Sequence, residues 1–256
     1  MDKKSFISTI KFEDDNLLSN LYDKIKLAEK ISRPVFTSEF YPPNVWKIVK
    51  DMNKSFNINI YTCGIFEESE RKMLCMAQEE PEKYPAKLIK IQNKSKFESL
   101  DHRDYLGAIM ALGIKREKYG DLILDGNNCY AAVSEEISDY ILYNLTSIGR
   151  CPCKVDIIDD YSDLNISARY EDFMLHSTSL RLDCIVSSIC SLSRAKAVEL
   201  IQASKVLIDY VDINEKDKVI EAGTVITVRG YGKFKFIEQI GSTQRGRLKL
   251  SMKKYI

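Results

Sequence analysis

The sequence predicts an α+β chain built in parts, and three observations lead there. Apolar spacing switches repeatedly between the 3.6-residue repeat of helices and the two-residue alternation of strands. A β-α-β-β-α-β order can be read across residues 81–160. From residue 179, two short helices and several β-branched runs follow, and the balance of charge changes sign. The expected parts are an N-terminal α/β unit (1–80), a middle domain (81–160), a linker (161–178) and a C-terminal domain (179–256). At 256 residues the chain is long enough for two or three small domains with cores of their own.

The elements follow in order. Over residues 13–31, Leu17, Leu18, Leu21, Ile25 and Ala28 share one helical face. Pro42-Pro43 opens a second helix through Trp46, Ile48 and Val49, because proline in the first turn lacks only an N–H that has no helical partner. Phe56, Ile58 and Ile60 alternate as a strand, and residues 73–77 form another. In the middle domain, residues 87–92 read as a strand and 99–112 as a helix stopped by Gly113. Residues 121–125 and 129–133 pair as a hairpin around Gly126-Asn127. Ser134 caps a helix through Ile137, Ile141, Leu142 and Leu145, ended by Gly149, and residues 154–158 supply the last strand. This is the split βαβ order of ferredoxin-like and RNA-recognition-motif folds. Of the aromatic pattern such RNA-binding sheets carry, only Tyr130 is in place.

Residues 159–178 are polar and charged, and are expected to link the domains. Leu182, Ile185, Val186 and Ile189 then recur at helical spacing, and Ala197, Leu200 and Ile201 do so after Ser193, an N-cap residue. Strands are expected at 206–209, 225–229, 233–238 and 247–253.

A net charge of +1 conceals an asymmetry. From Arg181 onward there are 14 Lys and Arg against 8 Asp and Glu, and the last 28 residues hold eight basic groups and one acid, Glu238. A basic tail domain on a mildly acidic body is the footprint of a nucleic-acid surface. Arg181, Arg194, Lys196 and Lys205 fall where the two C-terminal helices begin and end. Cations at a helix start are unfavourable unless an anion joins them, and an RNA phosphate supplies one. The candidate RNA-binding residues are therefore Arg181, Ser193, Arg194, Lys196, Lys205, Arg229 and Lys233, with Asp183 orienting Arg181. Arg103, Lys115, Arg116 and Lys118 form a possible second RNA patch, although Asp101 and Asp104 at the start of that helix and the cations past its end also suit the helix dipole.

Several classes are set aside. No apolar run approaches a membrane span, and the start M-D-K-K-S-F-I-S lacks a secretory apolar stretch. Seven cysteines, an odd number, fit a reducing cytoplasm. Cys151-Pro152-Cys153 has no second pair to complete a metal site, so neither metal nor cofactor is expected. His102-Arg103-Asp104 mimics a kinase triplet without its Gly-rich loop or D-F-G, and no P-loop or dinucleotide fingerprint occurs. Two histidines leave little for a catalytic triad, and no catalytic residue is assigned.

Arg181-Leu182-Asp183, Ser193-Arg194-Ala195-Lys196-Ala197, Leu200-Ile201, Lys205-Val206 and the run from Gly223 to Arg229 closely resemble the S-four RNA-binding domain, or αL motif. The chain departs from that pattern at Ser204, at Asp209-Tyr210 and at Thr224, where the family usually has Gly, Asn and Asp. The middle segment H-R-D-Y-L-G-A-I-M-A-L-G-I-K-R-E-K-Y-G-D, with N-L-T-S-I-G-R downstream, resembles the YlmH family of bacterial RNA-binding proteins, from about Arg33-Pro34 to the C-terminus. The resemblance implies a cytoplasmic, non-enzymatic protein that binds RNA through its C-terminal domain. It also implies partners in ribosomal RNA, tRNA and the large ribosomal subunit, including subunits obstructed by peptidyl-tRNA during quality control. A monomer is expected. Two readings compete with it. S-four domains also accompany pseudouridine synthases and methyltransferases, although here two small units replace a single large catalytic fold. The other is an interaction role in cell division with RNA binding secondary.

Overall fold

Four clusters of buried apolar side chains organise the chain. The computed structural model describes residues 1–255 apart from 32, 67, 96, 97, 162, 163 and 165. It divides into two units, Met1–Ala168 and Arg169–Ile256.

The first unit begins with α1 (Lys3–Thr9), α2 (Asp15–Ala28), β1 (Val35–Phe36), α3 (Pro43–Asp51), β2 (Asn59–Cys63) and β3 (Met73–Ala77). Asp14 caps α2 by accepting from the Leu17 N–H, and Pro43 opens α3 as expected. The sequence reading misses α1, whose seven residues bury only Phe6 and so show no periodicity. The strands order as β1-β3-β2, all antiparallel. Every residue of β3 is buried, which explains its unbroken apolar run. Leu74 and Met76 pack with the helices, while Met73 turns to the other side.

The middle elements are β4 (Ala86–Asn93), α4 (His102–Ala111), β5 (Tyr119–Asp125), β6 (Asn128–Ser134), α5 (Glu135–Asn144), β7 (Ser147–Ile148) and β8 (Cys151–Ile158). They keep the β-α-β-β-α-β order with short β7 added, and the sheet orders β5-β6-β4-β8-β7, antiparallel throughout. Asp101 and Asp104 close a reciprocal capping box on α4. Gly149 does not end α5, which stops at Asn144. At φ +57° it makes the turn between β7 and β8. One face of this sheet, with Ile89, Ile91, Ala131 and Val133, packs under α4 and α5.

The opposite face is also filled. Leu88, Ile123, Tyr130 and Ala132 share a core with Phe40, Phe66 and Met73 of the N-terminal part. Residues 1–80 and 81–160 therefore build one unit instead of the two expected domains. Tyr130 is only 7% exposed, so it is not an open stacking platform. Polar ties reinforce the junction. The Asp121 carboxylate accepts from the Glu70 and Arg71 N–H groups at 2.6 and 3.2 Å, and Arg71 Nη2 donates to the Phe40 carbonyl at 2.6 Å. Gly120 permits the close approach, since a Cβ there would meet the Phe40 ring at 3.0 Å.

The second unit contains β9 (Tyr170–Ser177), α6 (Leu182–Ile189), α7 (Arg194–Gln202), β10 (Val206–Ile208), β11 (Val211–Asp212), β12 (Val225–Val228), β13 (Gly232–Ser242) and β14 (Leu248–Tyr255). Its sheet orders β11-β10-β12-β13-β14-β9, and α6 and α7 share one core with it. The expected linker at 161–178 is corrected here. Residues 170–177 pair with β14 along their full length, and Phe173 and Leu175 enter the core. Glu171 at a core-side position and the apolar Met174 at an outward one disguise the alternation of this edge strand. Residues 162, 163 and 165 of that expected linker lie outside the described residues. Among the described residues, no helix is long and apolar enough to cross a membrane, and no group of three or more metal-ligating side chains occurs.

Phe40→Ala should destabilise the first unit by about 3–5 kcal/mol, the usual result of emptying a buried aromatic site. Trp46, the single tryptophan, lies in this unit and reports its urea unfolding by fluorescence. A loss of unfolding free energy under about 0.5 kcal/mol would show that the shared core is not cooperative.

Candidate nucleic-acid interface

The start of α6 is fixed from outside the helix. The Leu182 and Asp183 N–H groups donate to the carbonyls of Lys218 and Lys216 at 2.8 and 2.9 Å. This holds Asp183 in the first turn at 1% exposure, so its carboxylate is satisfied by protein. Arg181 Nε and Nη2 donate to the two carboxylate oxygens, each at 3.2 Å. Arg194, eleven positions along at the start of α7, donates to Oδ2 through Nε at 2.9 Å and Nη2 at 2.8 Å. Burial alone would raise the pKa of Asp183, but the two guanidiniums outweigh it and hold the carboxyl down to about 2.

One anion thus organises two cations, leaving a net positive charge fixed where two helices begin. Each arginine spends Nε and Nη2 on Asp183, and neither Nη1 makes a protein hydrogen bond among the described residues. The Arg181 and Arg194 side chains remain 37% and 58% exposed. Lys196 is exposed one turn into α7, whose N-cap Ser193 accepts from the Lys196 N–H at 3.3 Å. The helices can approach because Ser191 takes φ +53° in the turn between them and Ser187 Oγ donates to the Leu192 carbonyl at 2.7 Å. The sequence reading gave Asp183 to Arg181 alone. Its second partner is visible only once the turn brings Arg194 back.

Two further candidates meet at the strand ends. Lys205 is exposed just after α7, past Ser204 at φ +52°, and its carbonyl accepts from the Arg229 N–H at 2.8 Å. Arg229 is also exposed, with only a loose 3.8 Å approach to Asp212. Asp209 and Tyr210, both at positive φ, form the two-residue turn joining β10 to β11, and Asp209 Oδ1 accepts from the Val225 N–H at 2.9 Å. Lys233 does not join the helix-start group. Its ammonium donates to the Tyr210 hydroxyl at 2.8 Å and lies 4.7 and 4.4 Å from the Tyr210 and Tyr255 ring centres.

The second candidate patch is dispersed. Arg116 donates to the carbonyls of Tyr119 and Gly120 at 2.7 and 3.2 Å and lies over the Tyr119 ring, and burial lowers its pKa. Lys118 is shared between Glu39, Glu136 and Ser38. Burial would raise the Glu39 pKa, but Lys118, Lys24 and Ser38 hold it down at about 2. These two cations therefore stabilise the first unit from inside. Arg103 and Lys115 are exposed, but Arg103 lies in the first turn of α4 and Lys115 beyond its other end, past Gly113.

Residues 79–161 match the family model described as "Putative RNA-binding domain in YlmH". The chain is 25% identical over 222 residues to the ribosome-associated protein quality control protein P2 of Bacillus subtilis (strain 168), covering 85% of this chain and 86% of that one. It is also similar to the solved structure of the cell division protein ylmH from Streptococcus pneumoniae. That match has 25% identity and a TM-score of 0.50, over 60% of this chain and 94% of the other. Through its middle domain and along most of its length, the chain is thus similar to proteins of the YlmH family.

Proposed function

We propose that this chain binds RNA on the ribosome without covalent chemistry, contacting ribosomal RNA and tRNA on the large subunit during translation-linked quality control in the cytoplasm. The observation that carries the reading is the buried Asp183 carboxylate with its two forked arginines. Phosphate oxygens would meet the outward Nη1 groups of Arg181 and Arg194, the Lys196 ammonium and the first-turn N–H groups of α7. Lys205 and Arg229 extend that surface where strands end. Because Asp183 fixes both guanidinium planes beforehand, little side-chain freedom is lost on binding. The helix–turn–helix followed by β10 to β13 supports reading this unit as an S-four domain. The strand order of the middle domain supports a ferredoxin-like arrangement. With its second sheet face filled, that domain leaves the RNA contact in this reading to the C-terminal unit. The ribosome-associated name of the Bacillus subtilis relative supports the quality-control setting.

Replacing Arg194 and Lys196 together by Glu should abolish binding to a structured RNA, read by fluorescence anisotropy. Both side chains are exposed, so the circular dichroism spectrum and melting temperature should barely change. Retained affinity in the folded variant would remove the helix starts from the interface.

Wild-type affinity should fall steeply with salt. A log–log slope of about −3 to −5 corresponds to several phosphates neutralised on structured RNA. A flat response from 50 to 200 mM salt would contradict phosphate recognition.

Asp183 also links stability to pH. Its folded pKa of about 2 lies below the unfolded carboxylate value, so its contribution is complete above about pH 5 and lost as the pH falls toward 2. That contribution is about 2 kcal/mol. Asp183→Asn should flatten this acid limb in urea titrations of the whole chain and weaken RNA binding, because the arginines lose their common anchor. An unaltered acid limb would mean that the carboxylate is not coupled to folding.

A further inference from the structure

The C-terminal sheet carries its helices on one face only. Ile226, Val228, Phe234, Phe236, Leu250 and Met252 share the core of α6 and α7. The pleat sends the alternate residues to the other face, where no helix of this unit packs. Register aligns them in rows: Lys235 opposite Lys253, which is opposite Asp172, and Lys249 opposite His176. Lys233 lies on the same face, over the rings of Tyr210 and Tyr255.

Lys235, Lys249 and Lys253 form no ion pair among the described residues. Like charges directly across a strand pair, as in Lys235 and Lys253, are destabilising on their own. Of these three lysines, Lys253 has its ammonium over an aromatic ring. Lys253 sits 5.1 Å from the Tyr170 ring centre, and the Tyr170 and Tyr255 rings meet edge to face at 5.0 Å. Toward the β13–β14 hairpin the face opens into a groove of about 660 Å³ whose lining includes His176, Arg245, Arg247 and Lys249. From Tyr255 to Arg247 the basic track runs roughly 27 Å.

We propose that this open face is a second RNA-backbone surface, so that the C-terminal unit bridges two RNA segments with its sheet between them. The bridging rests on the helix-start surface also binding RNA, whereas the sheet-face contact stands by itself. Charge complementarity selects a polyanion. Ring faces already occupied by ammonium groups make phosphate, and not base stacking, the recognised feature, so binding here carries little sequence preference.

The test uses the full chain with two probes, a 30-nucleotide single-stranded oligouridylate and a short structured RNA hairpin. K235E/K253E should weaken oligouridylate binding at least tenfold and reduce the size of its log–log salt slope by about two. Its hairpin affinity should stay within about twofold of the parent's, and R194E/K196E should show the reverse pattern. K235Q/K253Q, which removes charge without reversing it, should give an intermediate loss on oligouridylate. Unchanged oligouridylate affinity and slope in K235E/K253E would overturn the proposal, as would parental binding by K235Q/K253Q. If K235E/K253E instead loses affinity for polyglutamate while oligouridylate binding is unchanged, the face belongs to an acidic protein segment and the proposal fails. Full hairpin affinity in R194E/K196E would refute the helix-start reading and leave the sheet face standing.

Discussion

The C-terminal unit depends on one buried carboxylate. Asp183 is 1% exposed and accepts from two arginines that belong to different helices. A charge in that position is costly unless fully hydrogen-bonded, and removing either partner would leave it under-satisfied. The same four donors that satisfy it fix the angle between two helix starts and aim two guanidinium groups outward. In the proposed function, folding and recognition would therefore draw on the same interaction. The cations would otherwise oppose the helix dipoles, and their tolerance there makes an external anion the natural third partner.

In the first unit the decisive constraint is the second face of the middle sheet. A β-α-β-β-α-β sheet with helices on one side would expose Leu88, Ile123, Tyr130 and Ala132. Here Phe40, Phe66 and Met73 cover them. Covering that face requires the segment around residues 115–121 to be stitched to residues 38–41 and 70–71. Lys118 is consumed in the stitching through Ser38 and Glu39, while Arg116 is spent within its own segment on the Tyr119 and Gly120 carbonyls. Charges that read as a surface patch are thus internal fasteners. The middle sheet is packed on both faces, and the net positive charge of the chain resides in the other unit.

That concentration is itself organised. On the inner side of the C-terminal sheet, apolar side chains and two helices form the core. On the outer side, Lys233 and Lys253 lie over tyrosine rings. A sheet separates its two faces by geometry, so one short unit can offer two electropositive surfaces that do not compete for the same phosphates.

The sequence alone determined whatever depends on near neighbours. Periodicity located α2 to α7 and most long strands, the capping signal at Ser193 marked a real helix start, and the charge asymmetry pointed to the basic unit. The motifs around residues 102–121 and 181–229 carried the family resemblance. Tertiary structure decided whatever depends on which distant segments meet. Strand β9 was hidden because Glu171 sits at a core-side position and Met174 at an outward one, which breaks the alternation. The joining of residues 1–80 to 81–160, the sharing of Asp183 with Arg194 and the removal of Arg116, Lys118 and Lys233 from the candidate surface were equally hidden. The physical reason is that a side chain's charge is written in its residue type. Whether that charge faces solvent, a buried carboxylate or a carbonyl is set by chain segments far away in sequence, and no local pattern encodes them.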